Sequence, residues 1–399
     1  MLTPEITQEM AVNKAVQAIA AADLYARLLA GADLAILDVR NADDFARWKV
    51  EGRKDLAIVN VPYFEFLEDE EASLAQIPQA EELVVVCAKE GSSQYIAELL
   101  AERGVKASYL ADGIISWGDL YDVRNVVEAD WGRIVQITRP ARGDVSFLVI
   151  SEGEAAVIDP LRHTEHYMQV LQGNQARLTH AFDTHGHADH ISGGPALAQQ
   201  TGAHYFLHPY DAIHPLDMLP ARLDYVPLQD GDQFVVGNVD VDVIWFPGHT
   251  LGQVNFRVSA PDGSHYLFTG DGLFLSSFGR PDLGGRGEAW TPILFESLFE
   301  RLPQRIDDAT WILPSHFSNL DEADAAGRFA QTYGTLKQQN DGLRPRGQEE
   351  FTGWVLANLP HFPPEYVEIK RVNAGLVSPS EEEAGALELG KNICALSGA

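Results

Sequence analysis

Thr184-His185-Gly186-His187-Ala188-Asp189-His190 places three imidazoles and one carboxylate within seven residues. Core packing does not call for that density of ligand atoms, so the stretch reads as half of a metal site. The other half lies downstream, in Pro247-Gly248-His249-Thr250, Phe268-Thr269-Gly270-Asp271-Gly272 and Leu313-Pro314-Ser315-His316. Each of these follows an apolar stretch of strand length and ends in a ligand-type residue, so a pair of sheets can bring all of them to one edge. Ala181-Phe182-Asp183 ends the strand ahead of the first run, which sets His185 and His187 two residues apart on one side of the loop. Asp189 and His190 then open a helix expected over 191–201. Imidazole nitrogen and carboxylate oxygen suit zinc or iron, and the lack of thiolate in the cluster argues against a closed structural zinc site. The expectation is a catalytic metal with open positions for water or substrate.

A chain of 399 residues exceeds the size at which a single core keeps growing, so two domains and an appended tail are expected. Lys+Arg of 29 against Asp+Glu of 58 leaves a net charge of −29, which repels phosphate backbones and anionic lipid. No nucleic-acid partner is expected on that ground, and the nuclease reading of a metal motif is disfavoured. The N-terminal region lacks a signal-peptide pattern, and the stretch from Val12 to Leu37 is broken by Lys14, Asp23, Arg27 and Asp33. No membrane span is expected, and a cytoplasmic location follows. With only two cysteines, Cys87 and Cys394, stability does not rest on a disulfide framework.

Helical spacing over Ala20 to Leu29 is followed by a buried-type strand at Leu34 to Val39, further strands at Val59 to Pro62, Leu83 to Val86 and Ala107 to Leu110, and a helix from Ser92 to Arg103 ended by Gly104. After Tyr121 the texture turns to a β-meander, with strands at Ile134 to Thr138, Ser146 to Ile150 and Ala155 to Ile158. The boundary is placed near Asn125. Three segments are expected: an α/β domain with an N-terminal helix over 1–124, a metal-binding domain over 125–340, and a C-terminal helix around Phe351 to Leu359 with a tail over 341–399, packed on the metal domain.

A second reactive feature lies in the first domain. Leu83-Val84-Val85-Val86-Cys87 runs into Ala88-Lys89-Glu90-Gly91-Ser92-Ser93 and then a helix. A thiol at a strand end, facing backbone N–H groups and a helix N-terminus, is expected to have a lowered pKa and to tolerate an anionic or persulfide sulfur. Cys394 has no such loop and reads as packing or an incidental thiol, without a resolving role. His180 is expected to make a structural hydrogen bond, and His163, His166, His204, His208, His214, His265 and His361 to be surface or satisfied polar residues.

In order, the metal motifs resemble the metallo-β-lactamase superfamily across roughly Asp130 to Gln339, with glyoxalase II and the persulfide dioxygenases as the nearest styles. Phe278-Gly279-Arg280-Pro281-Asp282 is similar to the Gly-Arg-x-Asp signature of the persulfide dioxygenases. That resemblance implies iron held by His185, His249 and Asp271, the two-histidine, one-carboxylate set of non-haem Fe(II) oxygenases. It leaves His187, Asp189, His190 and His316 either to hold a second metal, as in dinuclear hydrolases, or to orient the ligands of a single one. Arg280 and Asp282 are expected to support the ligands or to anchor their loop as a salt bridge.

Leu37-Asp38-Val39-Arg40, the Cys87 to Ser93 loop and Leu110-Ala111-Asp112-Gly113-Ile114-Ile115-Ser116-Trp117 together resemble a rhodanese domain over about 20–121. Two departures stand out: Ser92 takes a position where many rhodaneses carry Arg, leaving Lys89 to supply positive charge, and Val50-Glu51-Gly52-Arg53-Lys54-Asp55-Leu56 replaces the family's Gly-His-Ile-Pro-Gly-Ala stretch. The expected fold is thus an α/β rhodanese domain followed by an αββα metallo-β-lactamase sandwich. What the two resemblances imply is a mononuclear Fe(II) enzyme that oxidises glutathione persulfide or a similar persulfide with O₂ to sulfite and thiol. Cys87 would pass sulfane sulfur to a thiol or to sulfite, the latter giving thiosulfate, and a homodimer is compatible with this reading. The alternatives are a glyoxalase II-like thioester hydrolase with one or two zinc ions, and a non-catalytic sulfur carrier or sensor.

Overall fold

The apolar runs of the first hundred residues become strands of one sheet in the computed structural model, which describes residues 16–396. Residues 1–15 of the expected first domain and 397–399 of the tail lie outside the described residues. The chain divides into two units, one running to Glu51 and from Asp55 to Trp117, the other taking Gly52–Lys54 and everything from Gly118. In the first, Gln17–Ile19, Ala107–Leu110, Glu82–Val86, Leu34–Asp38 and Ala57–Asn60 lie side by side in that order, all parallel. The two central strands are buried along their whole length, as a parallel sheet covered by helices on both faces requires. Ala35, Leu37, Val85, Ile96 and Leu100 fill one face, and Cys87 sits at the rim of that core. The Asp38 and Arg40 of the first rhodanese-like motif form a buried ion pair, Arg40 Nη2 to Asp38 Oδ2 at 2.6 Å, that fixes the end of its strand.

The second unit is two sheets face to face. A seven-stranded sheet runs Val226–Pro227, His204–Leu207, Arg177–Phe182, Glu154–Ile158, Asp144–Ser151, Gly132–Arg139, Asp122–Ala129; a six-stranded sheet runs Gln233–Val236, Val239–Trp245, Val254–Ser259, His265–Gly270, Trp311–Pro314, Gln331–Thr332. Alternation along Asp144–Ser151 divides its side chains: Leu148 and Ile150 pack beneath Tyr167, Leu171 and Leu197 of the outer helices, while Phe147 meets Phe268 of the other sheet at a ring distance of 5.2 Å. Phe182 and Phe256 close the same interior at 4.6 Å. The expected division near Asn125 falls inside a strand. Asp122–Ala129 pairs antiparallel with Gly132–Arg139, so the second unit claims these residues and the division moves back to Trp117–Gly118. No helix among the described residues is long and apolar enough to cross a membrane.

The C-terminal segment holds three helices where one was expected: Gln348–Ala357, Glu365–Asn373 and Glu381–Leu387. It is part of the second unit and is joined to the sheets through Glu388, whose buried carboxylate accepts from Arg139 at 2.6 Å, Arg162 at 3.1 Å and the Ile191 backbone at 2.8 Å. Burial opposes its charge, but the guanidinium groups of Arg139, Arg142 and Arg162 outweigh burial and hold the carboxyl at about 2, below its ordinary 4.5. A depressed folded value contributes stability above the unfolded pKa, lost as pH falls from about 4.5 toward 2. Glu388→Gln is therefore expected to cost about 3–5 kcal/mol at pH 7, because the buried Arg139 loses its charged partner. Thermal melts of both proteins should converge as the pH is lowered through that window; a constant gap would refute the assignment.

Candidate metal centre

Each ligand-type residue stands just past a strand end, where the backbone leaves the sheet and frees the side chain from ladder geometry. His185 to His190 follow Arg177–Phe182, His249 follows Val239–Trp245, Asp271 follows His265–Gly270 and His316 follows Trp311–Pro314. His185, His249 and Asp271 are fully buried and converge. Asp271 Oδ2 lies 3.4 Å from His249 Nε2 and 3.8 Å from His185 Nε2. Donors at about 2.1 Å from one cation stand roughly 3.0–3.4 Å apart, so a small contraction completes the site. These same three atoms have no hydrogen-bond partner. Three unpaired buried polar atoms pointing at one another are costly unless a cation joins them. The donor set thus fits a divalent metal.

The far sides of these three candidate ligands are held. His249 Nδ1 donates to the Arg280 carbonyl at 2.8 Å, which leaves the Nε2 lone pair free for a metal. Thr184 Oγ1 donates to Asp159 Oδ2 at 2.8 Å and so accepts from His185 Nδ1 at 3.0 Å, with the same result. Asp271 Oδ1 accepts from His316 Nδ1 at 2.5 Å. Burial pushes both His185 and His249 down, toward the neutral form that binds metal.

His187 is turned away, its Nε2 on Asp159 Oδ1 at 3.1 Å. Burial would lower it, but the carboxylates of Asp159, Asp183 and Asp189 raise it to about 9. His316 lies 2.7 Å from Asp189 and 3.3 Å from Asp144, and burial is likewise overcome there by Asp271 and Asp189, which push it well up. Asp144, Asp189, His190 and His316 form a second cluster of ligand atoms within 4.8 Å of one another. The expected helix over 191–201 starts only at Gly194. The carbonyls of His187 and His190 accept from the Asn373 side chain at 3.0 and 2.8 Å, so side chains and not a helical turn take up this backbone.

Arg280 and Asp282 pair bidentately at 2.6 and 2.8 Å, and Arg280 Nη2 also donates to the Pro360 carbonyl at 2.8 Å. The pair anchors the loop, while the Arg280 backbone orients His249. Gly279 beside it has no room for a side chain: a Cβ would come within 2.2 Å of the Asp271 carbonyl and 2.6 Å of His249 Nδ1. Gly279→Ala is expected to displace both ligands and weaken metal affinity about 10–100-fold, the usual cost of disturbing the support of a ligand. Competition with a chelator measures this, and unchanged affinity would refute the role.

Sequence reasoning missed several carboxylates. Asp159 ties Thr184, His187 and Ser315 together from a left-handed backbone with φ 49°. Its position directly after the strand Glu154–Ile158, at the edge that carries the histidines, was a usable signal. Asp211 joins the two histidine loops, accepting from Gly186 N at 2.8 Å and Thr250 Oγ1 at 2.6 Å. Lys370, buried and donating to the Gly186 carbonyl, lies in a segment without a motif. It also lines a cavity of about 360 Å³ with Tyr210, Thr250, Arg286 and Trp290. His180 meets Thr179 Oγ1 at 2.8 Å, and His214 is satisfied by the Val367 carbonyl at 3.2 Å and the Asp217 backbone at 3.0 Å.

In the first unit, Cys87 lies at the end of Glu82–Val86 with the helix Gly91–Glu102 beginning four residues on. Ser93 Oγ donates to the Glu90 carbonyl at 2.8 Å and accepts from the Cys87 thiol at 3.2 Å. Ala88, Lys89 and Gly91 are exposed around it, with Glu90 and Ser92 half-buried. Gly113, at φ 62°, backs the loop: a Cβ there would stand 2.5 Å from the Cys87 carbonyl and 2.3 Å from that of Lys89.

Comparison with known proteins agrees with this division. Residues 140–318 match the metallo-beta-lactamase superfamily model and residues 20–120 the rhodanese-like domain model. An uncharacterized protein of Mycobacterium leprae is 33% identical over 195 residues, 44% of this chain and 86% of that one. A hydroxyacylglutathione hydrolase of Cereibacter sphaeroides is 35% identical over 149 residues, 36% of this chain and 54% of that enzyme. The crystal structure of a metallo-beta-lactamase from Staphylococcus aureus superposes with a TM-score of 0.53 at 27% identity, covering 60% of this chain and 72% of that one.

Proposed function

This chain belongs to the metallo-beta-lactamase superfamily and carries a rhodanese-like domain ahead of that fold; on that premise we propose that it is an iron-dependent persulfide dioxygenase joined to a sulfurtransferase. The observation that carries the reading is the trio of unpartnered donor atoms on His185, His249 and Asp271, with His187 turned to Asp159 instead. When bound, an Fe(II) ion held by two imidazoles and one carboxylate supplies open positions at which O₂ and a thiolate-type substrate are activated together. The balanced reaction is RSSH + O₂ + H₂O → RSH + SO₃²⁻ + 2H⁺. His249 and His185 are kept in their metal-binding tautomer by the Arg280 carbonyl and by Thr184. Lys370 and Arg286, which line the neighbouring cavity, suit the carboxylates of a thiol carrier such as glutathione. In the first unit the Cys87 thiolate attacks the outer sulfur of a persulfide donor, whose S–S bond breaks and whose thiolate leaves; the resulting Cys87–S–SH then passes that sulfur to a second thiol, giving a new persulfide, or to sulfite, giving thiosulfate, and the Cys87 thiolate is restored.

A second reading has its own observation. Both ring nitrogens of His190 are buried without a hydrogen-bond partner, beside Asp144, Asp189 and His316. Two zinc ions would make the site a thioester hydrolase, in keeping with the name of the Cereibacter relative. Metal analysis of anaerobically purified protein, coupled to O₂-electrode traces with glutathione persulfide, separates the two. One iron per chain with persulfide-dependent O₂ uptake and sulfite release supports the dioxygenase; two zinc ions and no O₂ uptake support the hydrolase.

A further inference from the structure

The cavity of about 360 Å³ is walled by the same loops that carry the candidate metal ligands. Thr250 and Leu251 follow His249, Leu283 and Gly284 follow the Arg280–Asp282 pair, and Lys370 donates to the carbonyl of Gly186, the residue after His185. A molecule in this space therefore lies beside the metal centre. Two of its polar side chains are already committed. Thr250 Oγ1 donates to Asp211 Oδ2 at 2.6 Å, and Gly186 N and Gly252 N donate to the same carboxylate at 2.8 and 3.1 Å. The cations on the wall are Arg286, which is exposed, and Lys370, which is buried and has three donors, of which Gly186 takes one.

Much of the remaining wall is apolar. Leu283 is buried, and the indole of Trp290 lies against Gly284, where a Cβ would come within 2.4 Å of it. Ile213 and Met218 belong to a segment, Tyr210 to Leu219, that exposes Tyr210, Ile213, Leu216, Met218 and Leu219 in a chain of net charge −29. Single exposed apolar residues are ordinary, but five within ten residues at a cavity are not. The segment is also held in place. Met218 N donates to the His214 carbonyl and His214 N to the Leu219 carbonyl, both at 2.8 Å, and Asp217 accepts from Arg371 at 2.6 and 3.0 Å. Met218 stands at φ 54°, a left-handed conformation that a methionine keeps only where its surroundings impose it.

We propose that the preferred thiol carrier of the substrate is amphipathic, with one anionic group held by Lys370 and an apolar acyl or aryl body packed on Trp290 and Met218. The proposal rests on the reading of the metal centre as a site that acts on the sulfur of a thiol carrier, and it names the class of that carrier. Glutathione meets the cations but sets its peptide groups and its ammonium against an apolar wall, where polar groups without partners are costly. Its persulfide remains a substrate, held less tightly. Lys370 fixes where the anion lies, and apolar burial decides which carrier is held most tightly.

The test compares N-octanoylcysteine with N-acetylcysteine, which lacks the apolar chain, with N-octanoylcysteamine, which lacks the carboxylate, and with glutathione. Isothermal titration calorimetry of the full-length protein, purified anaerobically, is expected to show N-octanoylcysteine bound at one per chain and about tenfold or more tighter than each of the others. The persulfides of the four thiols should follow the same order in KM for O₂ uptake, with kcat little changed. Trp290→Ala and Met218→Gln should each reduce the octanoyl-over-acetyl preference to about threefold or less. Met218 is exposed, so its variant keeps the test open should Trp290→Ala fail to fold. Equal binding of the octanoyl and acetyl compounds, tightest binding of glutathione, or a preference unchanged in both variants overturns the apolar carrier. Equal binding of N-octanoylcysteine and N-octanoylcysteamine overturns the place of the anion at Lys370. The expected order of thiol binding without O₂ uptake on any persulfide supports the carrier class and overturns the dioxygenase reading alone.

Discussion

Asp271→Ala is expected to leave a folded protein without bound iron and without persulfide-dependent O₂ uptake. Asp271 is the anionic member of the trio, and its two oxygens do different work: Oδ2 is free for the cation while Oδ1 takes the hydrogen bond from His316 at 2.5 Å. Alanine removes both. Altering the support of a ligand costs roughly 10–100-fold in affinity, and removing the charged ligand itself should exceed that. Iron should therefore fall from one per chain to near background on gel filtration. Folding survives because the deletion takes one charge out of a region crowded with the buried carboxylates of Asp144, Asp159 and Asp189. Sulfur transfer at Cys87 should persist. Unchanged iron content would refute the ligand assignment.

Cys87→Ser is expected to produce the converse. Serine keeps the size of the side chain and its contact with Ser93, 3.2 Å from the native sulfur, so the loop should hold its shape. Its hydroxyl is far less acidic and less nucleophilic than a thiol and cannot carry sulfane sulfur. Thiosulfate formation should drop to the uncatalysed rate, while O₂ consumption on supplied glutathione persulfide stays near that of the unaltered protein. Loss of both activities would overturn the division of labour between the two units.

The convergence of these side chains was legible in the sequence because the ligand-type residues cluster beside strands. His185, His249, Asp271 and His316 each follow an apolar run by one or a few residues, so strand ends were expected to bring them to one edge, and the choice of three among them came from the family resemblance. Cys87 was readable for the same reason. What could not be read is what acts only through folded proximity. Asp211 and Lys370 reach the His185 loop from 25 and 184 residues away. The late start of the helix at Gly194 depends on Asn373, which no local pattern near His190 reveals. The boundary near Asn125 failed because Asp122–Ala129 alternates too weakly to read as a strand by itself, and only pairing with Gly132–Arg139 settles it. The helix Glu381–Leu387 was not expected, although the Ser380–Glu383 capping box at its start was a usable local signal.

The two metal-facing histidines differ in how their orientation is inherited. His185 leans on a hydroxyl, and a single codon change at Thr184 can remove it. His249 leans on a peptide carbonyl, which every amino acid at position 280 would supply. Genetic drift can therefore erase the first prop outright but can disturb the second only by moving the chain. The imidazole of His249 is aimed by a path of the backbone, and Gly279, which has no room for a side chain, and the Arg280–Asp282 pair that anchors the loop are the places where that path is open to mutation.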